Sequence, residues 1–335
     1  MQSWTLRYAL FLAIAAASPA PWALPAQYHV TDLGDHTFVA HLNKEGVVAG
    51  TYVNHNVGNP VLWKDGELQF LQMLQGSAQA SWVNASGVTS GNATVSGNTQ
   101  HAVVWAADGT VTDLAEIIGL DWSSAPAIND NGDCVVWGDG LRLLPGCTGR
   151  EVIVIDDESW QATWVAGINS NGDVAGTAVF FDHTGDASAF LYSKGTTKDL
   201  GVLPNFNRSY GLGLNGKGHV VGYCETKHRS VSFFWNGKAM ERLKNEFGGS
   251  YSRAYAINYF DVIVGVAEDE SWASHPYILD KGTKRSRMLD LSKMLDSSGA
   301  GWAITKPINI NSAGQILVEG TLAGQRRHAI LTPVD

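Results

Sequence analysis

Charge is scarce in this 335-residue chain: 16% of residues are charged and 44% are hydrophobic, where about 25% charged residues is usual for a soluble domain. Such a composition excludes a disordered polypeptide and leaves ample material for a core. Ten prolines against 37 glycines, with no collagen-like period, point to many tight turns between short strands. Long apolar runs are lacking too. The run from Tyr8 to Ala17 falls short of the ~20 residues that a membrane helix needs. It follows the lone cation Arg7 and precedes the small, proline-containing segment Ser18 to Ala26, the order of an export signal. Cleavage is expected near Ala26, with Ala20 and Ala23 as alternatives. The mature chain is then a single domain over residues 27–335, secreted or periplasmic, with no membrane span, and monomeric.

A basic excess is also missing. The formal charge is −9, and removing Arg7 with residues 1–26 takes it to −10, which argues against nucleic acid as a partner. Cysteine is limited to Cys134, Cys147 and Cys224. In an oxidising compartment Cys134 and Cys147 can close a short loop, leaving Cys224 unpaired; the alternative is three buried small apolar side chains. No Gly-x-Ser-x-Gly, His-Glu-x-x-His or phosphate-binding glycine loop occurs, and no cofactor or metal is expected.

What the chain does contain is a repeat. An aliphatic residue, Asn, two variable positions and Gly, followed by a β-branched run, recur at Asn43, Asn84, Asn129, Asn169, Asn215, Asn258 and Asn311. The spacings are 41, 45, 40, 46, 43 and 53 residues, the size of a four-stranded propeller blade. Asn bonds its neighbouring backbone and Gly supplies positive φ, so Asn-x-x-Gly reads as a hairpin turn. Small residues precede each Asn: six positions upstream lie Thr37, Ala78, Ser123, Thr163, Ser209, Ser252 and Thr305, as expected where inner strands crowd around an axis. The third unit is irregular between Leu141 and Ser159, and the sixth has Asp261 where Gly is expected.

Closure is written at the ends. Tyr28 to Gly34 reads Thr-Asp-Leu-Gly, like the outer strands at Thr112-Asp113-Leu114 and Lys198-Asp199-Leu200-Gly201, while the last unit stops near Leu331 without an outer strand. The expected fold is all-β, a seven-bladed β-propeller of about 45-residue four-stranded blades, closed by the N-terminal strand pairing into the last blade.

The combination of Ile-Asn-x-x-Gly-x-Val-x-Gly, His-Ala-Phe-like strands such as His101-Ala102-Val103-Val104-Trp105 and His328-Ala329-Ile330-Leu331, and Asp-Leu-Gly resembles the extracellular HAF-repeat proteins of bacteria. The resemblance covers nearly all of residues 28–333. It implies export and a propeller-like fold, and it carries over no catalytic residue.

Residues that break the repeat at the start of each inner strand ring the expected channel mouth. They are His36, Gln79, Asp121, Trp122, Gln161, Trp164, Asn207, Arg208, Tyr210, Tyr251, Arg253 and Lys306. His36, Asp121, Trp122, Arg208, Tyr210, Tyr251, Arg253 and Lys306 are the principal binding candidates. Aromatic faces stack on sugars and guanidinium or ammonium groups hold carboxylates, so a binding module for carbohydrate or another polar ligand is the first functional expectation. The alternative is a lyase or hydrolase acting on acidic polysaccharide, with His36 or Tyr210 as base and Arg208 or Arg253 neutralising the acid. A rim that merely solvates loops is the third.

Overall fold

The computed structural model describes residues 24–35, 37–156, 158–181, 186–283 and 286–334. Residues 1–23 of the expected export segment and the candidate His36 lie outside them. The described chain has a propeller-like fold of antiparallel four-stranded units, and none of its helices is long and apolar enough to cross a membrane. The first unit is Thr37–Leu42, Val48–Asn54, Val57–Lys64 and Glu67–Phe70, hydrogen-bonded in that order. The pattern recurs, but the sheets number six, five of four strands and one of eight. In the eight-stranded sheet, two antiparallel halves carrying the Asn215 and Asn258 turns meet through one parallel bridge between Ser230 and Tyr251.

The N-terminal strand Gln27–Asp32 pairs antiparallel with Gln325–Val334, placing Tyr28 opposite Pro333 and Val30 opposite Leu331. The final strand therefore continues past Leu331, where the sequence suggested that it ends. Pro333 is tolerated because beyond Leu331 the strand is flanked only by Gln27–Asp32. Tyr28 and Val30 are buried in a core shared with Ile304, Ile316, Val318 and Leu331.

Each repeat Asn does more than turn the chain. Its Oδ1 accepts from the backbone two and four residues on, as Asn84 does from Ser86 and Val88 at 3.0 Å each. Its Nδ2 donates to the main-chain carbonyl of the next repeat's Asn. The links run from Asn43 to Asn84, Asn129, Asn169, Asn215, Asn258 and Asn311, and Asn311 donates back to Asn43, all at 2.9–3.2 Å. All seven asparagines are buried, so the amides leave no polar group stranded. Asp261, at a glycine position, takes φ +65°, a conformation costing about 1–2 kcal/mol for a residue with a Cβ. Its carboxylate offsets this by accepting from Asn215 Nδ2, Lys217 Nζ and His219 Nδ1, each at 2.8 Å.

In five units the glycine that closes the β-branched run, Gly50, Gly91, Gly176, Gly222 or Gly265, faces a bulge in the inner strand. A Cβ on Gly91 would lie 2.0 Å from the Gln79 carbonyl, and one on Gly222 would lie 1.8 Å from that of Tyr210. Only glycine permits this approach of backbones. The hydroxyls upstream are also more than small: Ser123, Ser209 and Ser252 accept the N–H of Ala102, Ala189 and Ser232, each on the third strand of the preceding unit. Side chains also join adjacent strands diagonally: His101 bonds Asp113 at 2.7 Å, and His275 bonds Asp290 at 3.2 Å. The third unit keeps four strands, with its outer strand reduced to Ile153–Val154. Cys134 is disulfide-bonded to Cys147, their Cα atoms 5.1 Å apart, tying the second strand to the turn after the third. Cys224 is free and buried, and burial pushes its thiol up to about 11.

Candidate binding site at the axial channel

The inner strands surround a cavity of about 870 Å³ lined by residues from all seven repeats. Bulges decide what faces it. In six units the residue three before the Asn is the unpaired extra one: Ala40, Ser81, Ala166, Leu212, Tyr255 and Ile308. All six line the cavity. The residues five before the Asn stand nearer the strand starts, and of these Gln79, Ser124, Trp164 and Lys306 also reach it.

The wall is uneven. On one side Leu212, Leu214, Ile257, Ile308 and Ile310 are apolar; on the other lie Gln79, Ser81, Asn92 and Ser124. Toward the Asn turns, His41 stacks on Trp82 at 3.8 Å, and its Nδ1 accepts from the Val83 amide. Full burial holds the imidazole down to about 3, so it is neutral at ordinary pH. The Trp82 ring crosses to the fourth unit, where a Cβ on Gly167 would lie 2.8 Å from it. Lys44 bonds Asp130 at 3.0 Å beside the same end.

Four of the sequence candidates gather on the fifth to seventh units. Tyr210 stacks on Tyr223 with centroids 4.7 Å apart and donates its hydroxyl to Glu225 at 2.8 Å. Arg253 lies over the Tyr223 ring at 4.2 Å and 3.6 Å from Glu225. Arg208 pairs with Asp186 at 2.9 Å. Lys306 sits over Tyr255 at 4.6 Å and, alone among the seven principal candidates that lie within the described residues, lines the cavity. Burial first, then Glu225, pushes the Tyr210 phenol up to about 12, so it holds its proton and serves as a donor.

The remaining candidates stand apart from this group. Trp122 meets Trp137 edge-on at 6.5 Å, Tyr251 leans on Trp272 at 5.9 Å, and Asp121 is exposed. Tyr223, Glu225, Tyr255 and Asn92 were not among the candidates. Tyr223 and Glu225 are the cross-strand partners of Tyr210 and Arg208, a relation obtainable by counting outward from the Asn215 turn. Among the described residues no group of three or more His, Cys, Asp or Glu side chains is arranged to hold a metal ion.

No family model and no curated protein matches the chain. Solved structures do. The β-propeller domain of the Trilobed protease from Pyrococcus furiosus superposes with a TM-score of 0.54 at 10% identity, over 93% of this chain and 97% of that one. YCF48 bound to D1 peptide gives 0.54 at 10% identity, over 93% and 98%. Pyrococcus horikoshii acylaminoacyl peptidase gives 0.52 at 12% identity, over 89% of this chain and 52% of that one. These likenesses define the class, an all-β propeller-like protein.

Proposed function

We propose that this protein is an exported binding module, a seven-bladed β-propeller of the HAF-repeat type that takes a polar ligand at the mouth of its axial cavity. The single observation carrying the functional part is that cavity: about 870 Å³, within the range of about 300–1,000 Å³ for small-ligand sites, with an aromatic and a cationic side chain at its rim. Seven blades and ring closure are supported by the seven-membered cycle of asparagine bonds and by the antiparallel pairing of Gln27–Asp32 with Gln325–Val334. Export is supported by the Cys134–Cys147 disulfide, which suits an oxidising compartment. YCF48, a propeller-like neighbour, is bound to a peptide, so ligand binding is within the capacity of the architecture. The polysaccharide lyase or hydrolase alternative needs a base; of the two side chains named for it, His36 lies outside the described residues, and Tyr210 donates its hydroxyl to Glu225 with its phenol pushed up to about 12.

A glycan array probed with the mature chain and with the Arg253→Ala/Lys306→Ala double variant tests the proposal. Saturable binding that the double variant loses is expected. Identical array profiles for the two folded proteins would leave a solvated rim as the better account.

A further inference from the structure

Asn92 is nine-tenths buried, lines the cavity, and its side chain makes no hydrogen bond to any described residue. None of its polar atoms is among the fully buried, unpartnered side-chain atoms of the described chain, so the amide stays open to water or to a ligand that enters the cavity. The adjacent cross-strand residue is Gln79, whose amide also lines the cavity and is likewise unpartnered within the described chain. Two neighbouring amides offer paired donors and acceptors, which is what vicinal hydroxyls require. In the third unit Ser124 adds a hydroxyl to the same wall, and in the fourth Trp164, a residue 55% exposed, lines the cavity. An exposed indole beside polar amides presents a stacking face for a sugar ring.

The charge comes from the seventh unit. Lys306 reaches the cavity and has no carboxylate within salt-bridge distance among the described residues; its ammonium rests only on the Tyr255 ring. The other mouth cations, Arg208 and Arg253, face Asp186 and Glu225. Lys306 is therefore the cation left for an incoming anion.

Resting on the binding role proposed above, we infer that the ligand is a short acidic saccharide: hydroxyls on Gln79 and Asn92, one ring on Trp164, and a carboxylate on Lys306. An acidic peptide would use Lys306 but has no vicinal hydroxyls for the amide pair.

The test is calorimetric titration of the mature chain with trigalacturonate, trimannuronate and a hyaluronan tetrasaccharide, alongside methyl-esterified trigalacturonate, maltotriose and triglutamate. At least one uronate probe is expected to bind at least tenfold more tightly than the ester, maltotriose or triglutamate. Lys306→Gln should remove that preference for charge, while Asn92→Ala and Trp164→Ala should each weaken binding tenfold or more. Trp272→Ala, an exposed aromatic outside the cavity lining, should leave binding unchanged. Neutral probes binding as well as uronates, with Trp164→Ala still damaging, would overturn the acidic class and leave the binding role standing. Triglutamate binding that ignores Asn92→Ala would overturn the saccharide. Silence of every probe against a folded protein, joined to an unchanged array profile for the Arg253/Lys306 double variant, would overturn both.

Discussion

Asn84→Asp isolates one link of the asparagine cycle. The carboxylate keeps an acceptor for Ser86 N and Val88 N, but the Nδ2 donor to the Asn129 carbonyl at 3.1 Å is gone. The carbonyl still receives the Gly132 amide at 3.1 Å, so it is not orphaned. Losing the inter-unit bond costs about 1 kcal/mol, and setting a buried carboxylate against a carbonyl adds about 1–3 kcal/mol. The sum, about 2–4 kcal/mol at pH 7.5, should appear in urea denaturation as a lower midpoint at unchanged slope. Acid supplies the decisive control. Once protonated, the introduced carboxyl carries an O–H that can donate to the Asn129 carbonyl, so its folded-state pKa is raised above the unfolded value. The penalty is then present above the raised pKa and shrinks as pH falls through it. At pH 4.5 the gap to wild type should narrow by at least half. Asn84→Ala, which loses all three bonds and cannot recover any, should show a gap that does not respond to pH. An Asn84→Asp penalty below about 0.5 kcal/mol, the low end for a single hydrogen bond, or one of equal size at both pH values, would refute the role assigned to these amides.

Three further outcomes are expected. Gly222→Ala should cost about 3 kcal/mol or more, because its Cβ would sit 1.8 Å from the Tyr210 carbonyl; Gly237→Ala, with φ +86° and nothing within 4 Å, should cost only about 1 kcal/mol, so equal losses in thermal melts would contradict the close-approach account. Deleting Gln27 to Asp35 strips Tyr28 and Val30 from the core around Ile304 and Leu331 and should lower the melting temperature of the whole protein; a truncated chain that melts no earlier would sink the closure proposed for the ring. His41, held down to about 3 by burial, is protonated in the unfolded chain below its ordinary value near 6.5 but not in the folded one. Stability is accordingly lost as pH falls from about 6.5 toward 3, by up to ~1.4 kcal/mol per unit, and His41→Phe should flatten that decline in urea titrations.

The fold was legible because its motif is tied to backbone geometry and repeats in phase. Asn-x-x-Gly marks a turn wherever it occurs, and the complementary ends of the chain follow from the same count: Thr31-Asp32-Leu33 resembles an outer strand because Leu33 N bonds the His328 carbonyl as Leu200 N bonds that of Ala189. What the motif does between units was not legible. Nothing local to Asn43 says that its amide ends on Asn84, 41 residues away; only packing of adjacent inner strands brings the two turns together. The same holds for Ser123, Ser209 and Ser252, which read as small residues and act as hydrogen-bond acceptors for the preceding unit. Asp261 looked like a defect in the repeat, yet Lys217 and His219, both from the preceding turn, make a left-handed aspartate the better residue there.

The site was half legible for a more specific reason. Distance along the inner strand places Tyr210, Arg253 and Lys306 near the strand starts, but which side chains turn toward the axis depends on parity, and a bulge of one residue reverses parity. Simple alternation counted back from Asn258 cannot tell that Tyr255 is the extra residue lining the cavity, whereas Arg253, two positions earlier, turns to the ring of Tyr223 on the neighbouring unit's second strand. Gly265 carries the missing information, since the Arg253 carbonyl would lie 2.1 Å from a Cβ there: a glycine in mid-strand requires the partner backbone to come close, and that approach is the bulge. Read as a marker of bulged register instead of a turn, the second glycine of the five repeats that carry it, Gly50, Gly91, Gly176, Gly222 and Gly265, assigns the cavity to the residue three before the Asn, and thereby separates Tyr255 and Ser81 from the rim residues around them. Asn92 then follows as well, being the residue directly after Gly91 and opposite Gln79, the one amide-bearing successor to such a glycine among Thr51, Thr177, Tyr223 and Val266.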